Sequence, residues 1–314
     1  MSVYNKGEFL HQAIQSILEQ SFTDFEFIIR DNQSADNSIE VIIGFTDQRI
    51  NFARNSRNLG PVGSLNNCIE AAQGDYITFA HGDDIWDKEF LATHVAHLEM
   101  HPSVKMSHSL MHCIKGQDGV IEARPEQGVG EYLIEGYEDV LKKLFKGCFV
   151  KTPTAFFRRN AIRFYDVRYI YTCDWDMYLQ IAVAGNDFLF VNKPLLSYRV
   201  SDTSETAVGM KHGDLILESY LTLRNFFDRH QEYRRFRRKS FKRLSDSVLR
   251  RSRDVGSRDT LYFFFCCAIL CYPLQVLNPG FYLYLFLGLL FGPRGVHFLK
   301  NSSRFFKRLI RGNG

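Results

Sequence analysis

The sequence lacks the cysteine spacing of a disulfide-stabilised or zinc-binding protein. Its seven cysteines include no CxxC pair, and three of them fall inside one apolar stretch. An odd and scattered set of cysteines indicates reduced thiols and a reducing compartment such as the cytosol. The ten histidines form no zinc set either: His94, His97 and His101 share a predicted helical face without an accompanying carboxylate, and we expect them at the surface.

The sequence also lacks an uninterrupted apolar run of the roughly 20 residues that a transmembrane helix requires, and no signal peptide is visible. Residues 261–273 and 281–291 are nearly uncharged, but Asn278-Pro279-Gly280 separates them. This pattern favours a helical hairpin that lies in the membrane interface or re-enters it. Residues 304–311 mix basic and large apolar side chains, as an amphipathic interfacial helix does. We therefore predict a membrane-associating tail over residues 260–314.

The sequence has little net charge, because 39 Lys and Arg nearly balance 35 Asp and Glu, but the charge is unevenly distributed. Residues 224–258 carry 13 Lys and Arg against 4 Asp and Glu, within a predicted basic helical segment at 204–259. Such a segment suits an anionic partner, either nucleic acid or phospholipid headgroups. A solvated helix face explains the pattern about equally well. Of the two partners, the apolar runs that follow favour phospholipid.

Helix and strand patterns alternate along the N-terminal third of the chain. Apolar residues recur at helical spacing in several segments, and short apolar runs between them predict buried strands. This alternation predicts an α/β fold with a parallel, doubly wound sheet. The predicted helices cover residues 7–20, 38–45, 61–73, 88–101, 175–184 and 215–253, and the predicted strands residues 24–30, 50–53, 75–80, 104–110, 155–158 and 188–191.

Acidic residues directly follow two of these predicted strands. Asp31 comes after the strand at 24–30, and His81-Gly82-Asp83-Asp84 comes after the strand at 75–80. The carboxyl ends of parallel strands open on one crevice, where open α/β sheets bind ligands. Paired carboxylates there suit a divalent cation and, through it, a diphosphate. The sequence therefore points to an enzyme that acts on a nucleotide-linked substrate.

Several ordered segments resemble the family 2 glycosyltransferases. They are residues 1–10 and 13–22, residues 24–29 running into Asp31, Arg57-Asn58-Leu59-Gly60, and Gly74-Asp75-Tyr76-Ile77 ahead of the acidic pair. The resemblance implies a GT-A fold with a Rossmann-like mixed sheet, and sugar transfer from a nucleotide-diphosphate donor with inversion. It implies a catalytic domain over residues 1–203, in which most of the first family strand is missing.

The resemblance also implies a metal site, for Mn²⁺ or Mg²⁺. Asp83 and Asp84 match the metal- and ribose-contacting acids of the family, with two solvated turn acids as the alternative. His81 occupies a position where many relatives carry an acid, so it is a third candidate metal ligand. A later histidine of the family pattern is replaced by Ser201.

Four further residues match donor-binding positions. Asp31 matches the acid that hydrogen-bonds the donor base, with capping of its own turn as the alternative. Tyr4 lies in the opening segment of the resemblance. Trp86 is expected to form a wall of the donor or acceptor pocket, or equally to pack in the core. Arg199 is expected to contact the diphosphate, with a structural salt bridge as the equal alternative.

An inverting transfer needs one base to take the proton of the acceptor hydroxyl. The segment Cys173-Asp174-Trp175-Asp176 resembles the acidic motif that begins a helix beside the acceptor site of the family. Asp174 aligns with the expected base, and Asp176 is the second candidate. Cys173 replaces a family glutamate. The alternative is that Asp174 only caps the helix.

These observations predict an inverting, metal-dependent glycosyltransferase of bacterial surface-polysaccharide synthesis. Its expected partners are a nucleotide-diphospho-sugar, a saccharide or polyprenyl-diphosphate-linked acceptor, and the anionic cytoplasmic face of the inner membrane, with no nucleic acid. A non-catalytic sugar-nucleotide-binding or membrane-scaffold protein on a decayed GT-A fold is the alternative, which the missing strand, His81, Cys173 and Ser201 favour.

Overall fold

A computed structural model of the protein describes residues 1–115, 119–200, 209, 213–251 and 258–277. The chain divides into two compact units. The first comprises Met1–Leu144 and Cys148–Ser204, and the second comprises Phe145–Gly147 and Glu205–Gly314. The first unit therefore ends next to the predicted limit of the catalytic domain. The predicted basic segment and apolar tail belong to one unit.

The first unit begins with three parallel strands joined by two helices. β1 (Ser2–Val3) pairs with β2 (Phe27–Asp31), which in turn pairs with β3 (Ile50–Arg54). Helices α1 (Gly7–Leu18) and α2 (Ser38–Ile43) connect them. The apolar residues of α1 recur at helical spacing, and the side that they form is buried in the main core. These buried residues are Leu10, Ala13, Ile14 and Ile17.

Beyond α3 (Gly60–Ala71) the chain builds a second, seven-stranded sheet. Its main path runs in the order β4, β9, β6, β10, β5, with β7 beside β6 and β8 beside β10. The strands are β4 (Tyr76–Thr78), β5 (Ile85–Trp86), β6 (Met106–Lys115), β7 (Gly119–Ile121), β8 (Tyr132–Glu135), β9 (Phe156–Arg158) and β10 (Phe188–Val200). The helices of this part are α4 (Phe90–Met100), α5 (Tyr137–Leu144) and α6 (Cys173–Val183).

The purely parallel sheet expected from the strand–helix alternation is wrong, and the mixed sheet of the GT-A fold is confirmed. β6 and β10 are parallel, whereas β9 runs antiparallel to both β4 and β6. β10 is also antiparallel to β5 and β8. The physical reason is that β9 enters between β4 and β6 from the opposite direction, after a long excursion through β7, β8 and α5. β9 runs in the same direction as β8, to which α5 connects it, and therefore opposes β4 and β6.

A cavity of about 710 Å³ lies between β2 and β4 in the first unit. β1 covers only one end of β2, where the Met1 amino group donates to the Ile28 carbonyl oxygen at 2.7 Å. Phe27 and Ile28 of β2 and all three residues of β4 line the cavity, together with apolar side chains such as Ile17 and Phe156. The cavity therefore separates β2 from β4, and residues of both strands line it.

The expectation that the α4 histidines lie at the surface is wrong for two of the three. His94 is fully buried and His97 nearly so, because this face of α4 packs on the sheet. The Nδ1 atom of His94 lies 2.8 Å from the Ser107 hydroxyl, and its ring stacks on Phe156 at 5.2 Å. Burial lowers the pKa of His94 to about 3, so this ring is neutral and structural.

The second unit contains three helices in its described part: α7 (Asp214–Arg229), α8 (Arg234–Arg251) and α9 (Arg258–Cys271). The single helix predicted over 215–253 is therefore two helices. The apolar residues at 261–271 form part of α9, whose buried side chains pack in one core with Ile216 and Val248. None of the described helices is both long enough and apolar enough to cross a bilayer. The predicted apolar run at 281–291 and amphipathic helix at 304–311 lie outside the described residues.

Candidate functional site

Asp31 stands at the carboxyl end of β2, and its side chain is fully buried. Its carboxylate accepts the backbone N–H groups of Gln33 at 3.2 Å and of Ser34 at 3.2 and 3.3 Å. The Nε atom of Arg54 lies 3.2 Å from the same carboxylate. The turn-capping contacts proposed as the alternative are therefore present. Contact with the donor base stays a prediction.

Asn32, which the sequence reasoning missed, joins the loop after β2 to the start of α3. Its amide donates to Asn58 Oδ1 at 2.9 Å and to the Gly60 carbonyl at 3.1 Å, and its oxygen accepts from Asn55 Nδ2 at 3.0 Å. Gly60 has a φ of 71°, which glycine adopts without strain. The available signal was the position of Asn32 directly after Asp31. The Asn58-Leu59-Gly60 turn thus positions α3.

The start of α1 is tied to the turn that follows Asp31. The Gly7 N–H donates to Asp36 Oδ2 at 2.9 Å, and the Lys6 N–H donates to the Ser38 hydroxyl at 3.0 Å. A Cβ atom at Gly7 would lie 1.8 Å from Asn37 Oδ1, so the exposed side chain of Asn37 would have to move to admit a larger residue. Burial raises the pKa of Asp36, but hydrogen bonds from Ser38 and Gly7 outweigh it and lower the pKa overall. These contacts give Asp36 a structural role and fix the backbone of Lys6.

His81, Asp83 and Asp84 come together on the loop between β4 and β5. One potential ligand atom from each lies within 4.8 Å of the others, and the His81 Nδ1 atom is 3.9 Å from Asp84 Oδ2. The Asp84 Oδ1 atom accepts the backbone N–H of Arg199 at 2.9 Å. Its Oδ2 atom is buried and has no hydrogen-bond partner among the described residues. Asp84 is therefore not a solvated turn acid.

An unpartnered buried carboxylate oxygen is costly, and the cost shows in the acidity of Asp84. Burial raises its pKa to about 6, against the opposing effects of the His81 ring and the Arg199 N–H. The negative charge of Asp83 adds to the rise. The carboxylates of Asp83 and Asp84, including the unpartnered Asp84 Oδ2 atom, and the His81 imidazole form a set of ligands that fits Mn²⁺ or Mg²⁺. The three residues present thus fit a divalent cation.

Two cationic side chains contact the Asp83-Asp84 segment. The Lys6 ammonium is hydrogen-bonded to Asp83 Oδ2. The Arg199 guanidinium donates to the Asp83 backbone oxygen at 3.2 Å and lies 4.2 Å from the centre of the Phe9 ring. Arg199 is partly exposed, so its predicted contact with a diphosphate is sterically open. Lys6 was missed from the sequence because 77 residues separate it from Asp83.

Tyr4 and Trp86 differ in their surroundings. Tyr4 follows β1 and is 49% exposed, so it is accessible to a ligand. Trp86 lies in the hydrophobic core, with its ring 4.3 Å from that of Phe90, and it lines the cavity between β2 and β4. The structure thus shows the core packing given as the alternative for Trp86. Donor binding by either residue stays a prediction.

Asp174 lies in the first turn of α6, and Thr172 occupies the N-cap position. The Thr152 hydroxyl donates to Asp174 Oδ2, and the Trp175 N–H donates to Oδ1 at 2.7 Å. Burial raises the pKa of Asp174, and these two hydrogen bonds oppose the rise. A carboxyl group with a raised pKa suits a general base. Asp176 lies in the same helical turn, where its N–H donates to the Thr172 carbonyl at 2.9 Å.

His81 links the acidic pair to Asp174 electrostatically. A positive His81 ring lowers the pKa of both Asp84 and Asp174, although burial dominates for each carboxyl group. The charge of one candidate metal ligand therefore acts on the candidate base.

The sequence profile described as "Glycosyl transferase family 2" matches residues 1–166, more than half of the chain. The chain therefore belongs to glycosyltransferase family 2 and is a glycosyltransferase. A related protein is the amylovoran biosynthesis glycosyltransferase AmsB of Erwinia amylovora, which is 30% identical over 63% of this chain and 67% of its own length. WfgD of Escherichia coli, a UDP-Glc:α-D-GlcNAc-diphosphoundecaprenol β-1,3-glucosyltransferase, is 25% identical over 65% of this chain and 77% of its own length.

Solved structures confirm the GT-A fold. S. aureus TarS in complex with UDP-GlcNAc superposes with a TM-score of 0.67 at 14% identity, over 96% of this chain and 90% of that chain. The mannosyltransferase PcManGT of Pyrobaculum calidifontis, in complex with GDP-Man and Mn²⁺, gives a TM-score of 0.53 at 14% identity, over 94% and 83% of the two chains. At these identities the likeness concerns the fold.

Proposed function

We propose that this glycosyltransferase moves a sugar from a nucleotide-diphosphate donor to a saccharide or polyprenyl-diphosphate-linked acceptor in surface-polysaccharide synthesis. The observation that carries the proposal is the His81, Asp83 and Asp84 group, with its buried and unpartnered Asp84 oxygen. The amylovoran and diphosphoundecaprenol relatives support the pathway and the acceptor class.

The proposed donor site combines one metal position with several protein contacts. His81, Asp83 and Asp84 would hold Mn²⁺ or Mg²⁺, which when bound stabilises negative charge on the departing nucleoside diphosphate. Arg199 supplies a guanidinium beside Asp83, where it can donate to phosphate oxygens. Tyr4 and Asp31 lie at the ends of the neighbouring strands β1 and β2, and we assign them to the nucleoside. Trp86 would contribute indirectly. It packs in the core and would hold β5, which directly follows the acidic loop, against β10.

Asp174 is proposed as the base of an inverting transfer. Its carboxylate would take the proton of the acceptor hydroxyl as that oxygen attacks the anomeric carbon, on the face opposite to the departing diphosphate. Burial raises the pKa of Asp174, which makes its carboxylate a stronger proton acceptor, while Thr152 limits the rise and fixes one oxygen. Asp176 is the second candidate because it lies in the same turn of α6.

The second unit is proposed to hold the enzyme on the anionic, cytoplasmic face of the bacterial inner membrane. Arg235, Lys239 and Arg243 of α8 are exposed and follow one another at intervals of four residues, so they form one basic stripe. The opposite face of α8 is buried against the helical core. A basic stripe of this kind binds anionic lipid headgroups. A lipid-linked acceptor would be presented at the same surface.

Thermal-shift screening against UDP-, dTDP- and GDP-sugars, each with and without Mn²⁺, tests the donor and metal assignments. We expect one nucleotide class to stabilise the protein, and to do so more strongly with Mn²⁺. The Asp83→Ala variant should lose this metal-dependent stabilisation. If no donor stabilised the wild-type protein, the enzymatic proposal would fail in favour of a non-catalytic protein on a decayed GT-A fold.

A transfer assay separates catalysis from binding. With the stabilising donor and a polyprenyl-diphosphate-linked saccharide, Asp174→Asn should lose transfer by about 10²–10⁴-fold, the usual contribution of a general base, and should retain donor stabilisation. The Asp176→Asn variant is the matched control and should keep most of the activity. If Asp176→Asn lost transfer and Asp174→Asn kept it, Asp176 would be the base. A wild-type protein that binds donor but transfers to no acceptor would support the non-catalytic alternative.

A further inference from the structure

Lys6 occupies the position from which a cation can neutralise Asp83 when no metal ion is bound. Its ammonium group is hydrogen-bonded to Asp83 Oδ2, one of the three candidate metal-ligand atoms. The side chain of Asp83 is 14% exposed and that of Lys6 is 35% exposed, so the pair is partly shielded from water. The proposed metal position and the Lys6 ammonium therefore share one carboxylate.

The contact is fixed from the Lys6 side. The Lys6 N–H donates to the Ser38 hydroxyl at 3.0 Å, and its carbonyl accepts the first N–H groups of α1 from Phe9 and Leu10 at 3.0 Å each. Its aliphatic stem packs on Gly82, where an added Cβ atom would lie 3.2 Å from Lys6 Cβ. The backbone and stem of Lys6 are thus held beside the acidic loop, and only the terminal bonds need to rotate to move the ammonium.

A lysine ammonium and a divalent cation that share one carboxylate would repel each other strongly, because the repulsion between like charges grows as they approach. The carboxylates of Asp83 and Asp84 supply two negative charges, which are too few to balance the three positive charges of the ammonium group and the divalent cation. A nucleoside diphosphate adds further negative charge and phosphate oxygens that can accept hydrogen bonds from an ammonium group. Binding of the metal and of the diphosphate is then mutually favourable.

We propose that Lys6 makes metal binding depend on the donor. In the free enzyme its ammonium group is hydrogen-bonded to Asp83. When the metal and the nucleotide bind together, the Lys6 side chain rotates and its ammonium group donates to the donor diphosphate instead. This inference rests on the proposed donor and metal site and assigns to it a further diphosphate-binding residue. The role extends to the order of binding, because a free metal ion must compete with Lys6 whereas a metal–nucleotide complex need not.

The test measures Mn²⁺ binding by titration with electron paramagnetic resonance detection, in the absence and presence of UDP, GDP or dTDP. In Lys6→Met, which keeps the length of the apolar stem, Mn²⁺ affinity without nucleotide should rise about tenfold or more. The factor by which the nucleotide strengthens Mn²⁺ binding should fall by a similar amount. By linkage, Mn²⁺ should also strengthen nucleotide binding less in this variant than in the wild type.

Two control variants accompany Lys6→Met. Lys6→Arg keeps the charge and should bind Mn²⁺ like the wild type. Lys88→Met removes one exposed positive charge elsewhere in the first unit and should leave Mn²⁺ binding unchanged. Unfolding temperatures of all variants establish that each is folded.

The outcomes separate this inference from the proposed function. If the wild type binds Mn²⁺ together with a nucleotide but Lys6→Met binds free Mn²⁺ no more tightly, the Lys6 inference is overturned and the donor site stands. The Lys6 inference is likewise overturned if the nucleotide strengthens Mn²⁺ binding in Lys6→Met by as large a factor as in the wild type, or by a larger one. If the wild type binds no Mn²⁺ even with all three nucleotides, the donor site and the Lys6 inference both fail.

Discussion

At the scale of single residues, side chains from distant parts of the chain contact the acidic residues of the candidate site: Lys6 contacts Asp83, and Thr152 contacts Asp174. His81, Asp83 and Asp84 could be predicted because they are neighbours in the chain and follow a recognisable strand. Lys6 and Thr152 could not, because they reach Asp83 and Asp174 across 77 and 22 residues, and only the fold creates these contacts. The burial of Asp84 is likewise a property of the packed loop.

Asp84 gives a prediction about stability and pH. Its pKa is about 6 in the folded protein against an ordinary value of 3.8, so the folded state binds more protons than the unfolded state between these pH values. The contribution of Asp84 to stability therefore falls as pH rises from about 4 to about 6 and stays low above that. At pH 7.5 without metal, Asp84→Asn should be more stable than the wild type by about 1–3 kcal/mol.

Denaturant unfolding of both proteins at pH 4 and at pH 7.5 measures this effect. The stability difference between Asp84→Asn and the wild type should be small at pH 4, where Asp84 is protonated, and large at pH 7.5. Mn²⁺ with nucleotide should stabilise the wild type and not the variant. A variant that is equally or less stable than the wild type at pH 7.5 would contradict the assignment of a buried, uncompensated charge.

Thr152 gives a prediction about the proposed base. Burial raises the pKa of Asp174, and the Thr152 hydroxyl opposes that rise. Thr152→Val keeps the shape of the side chain but removes the donor, so the pKa of Asp174 should rise further. The acidic limb of the pH profile of kcat should then move to higher pH, with little change in the KM for donor. An unmoved acidic limb would show that another group sets it.

At the scale of elements, most helices and strands of the first unit follow from local pattern, and the failures have tertiary causes. The helix predicted over 215–253 is interrupted at His230 because the aromatic residues on both sides of the break pack around a distant ring. The rings of Phe226, Phe227, Tyr233 and Phe236 all lie 5.0–5.8 Å from that of Phe145. Local periodicity does not report such a contact. The buried histidines of α4 were misjudged for the same reason, because polarity alone suggested exposure.

The cavity between β2 and β4 gives a prediction at this scale. Continuing the register in which Ser2 pairs with Arg30 places a strand ahead of Met1 beside residues 25–28. Phe27, Ile28 and Ile77 of the neighbouring strands line the cavity beside polar residues such as Glu26 and Asp75, and the apolar part of the lining would accept apolar side chains. Adding the four residues Val-Ile-Val-Val before Met1 should raise the unfolding temperature by a few degrees, since about 1 kcal/mol corresponds to roughly 2–4 °C for a domain of this size.

The matched control is an added Gly-Ser-Asp-Ser segment of the same length, which brings no apolar surface and should leave the unfolding temperature unchanged or lower it. Differential scanning calorimetry of both extended proteins and of the original chain makes the comparison. Equal unfolding temperatures for the apolar and polar extensions would show that the cavity does not accept a strand.

At the scale of the whole molecule, composition separated a basic, helical part from the rest of the chain, and the two compact units follow nearly the same division. The sequence did not reveal that the apolar residues of α9 serve the internal core of the second unit. Phe264, Phe265 and Ala268 are buried there, and the Ser245 hydroxyl donates to the Ala268 carbonyl at 2.7 Å. Apolar residues in this segment therefore do not by themselves argue for lipid contact, and the membrane proposal depends more on the basic stripe of α8.

Neutralising that stripe tests the proposal directly. Each basic residue near an anionic bilayer contributes about 1 kcal/mol to binding, so the triple variant Arg235→Gln, Lys239→Gln, Arg243→Gln should bind vesicles of phosphatidylglycerol roughly 100-fold more weakly at moderate salt. Neutral phosphatidylcholine vesicles should bind both proteins weakly. A control variant loses the same charge from exposed residues of the first unit, Lys115, Arg124 and Arg163, and should bind phosphatidylglycerol like the wild type.

Equal losses of vesicle binding in the two variants would mean that total charge, not the α8 stripe, governs binding. If the protein bound oligonucleotides in a salt-sensitive way but did not bind vesicles, α8 would instead be assigned to nucleic acid. Salt weakens binding to both kinds of ligand, so the two assignments differ only in which ligand binds.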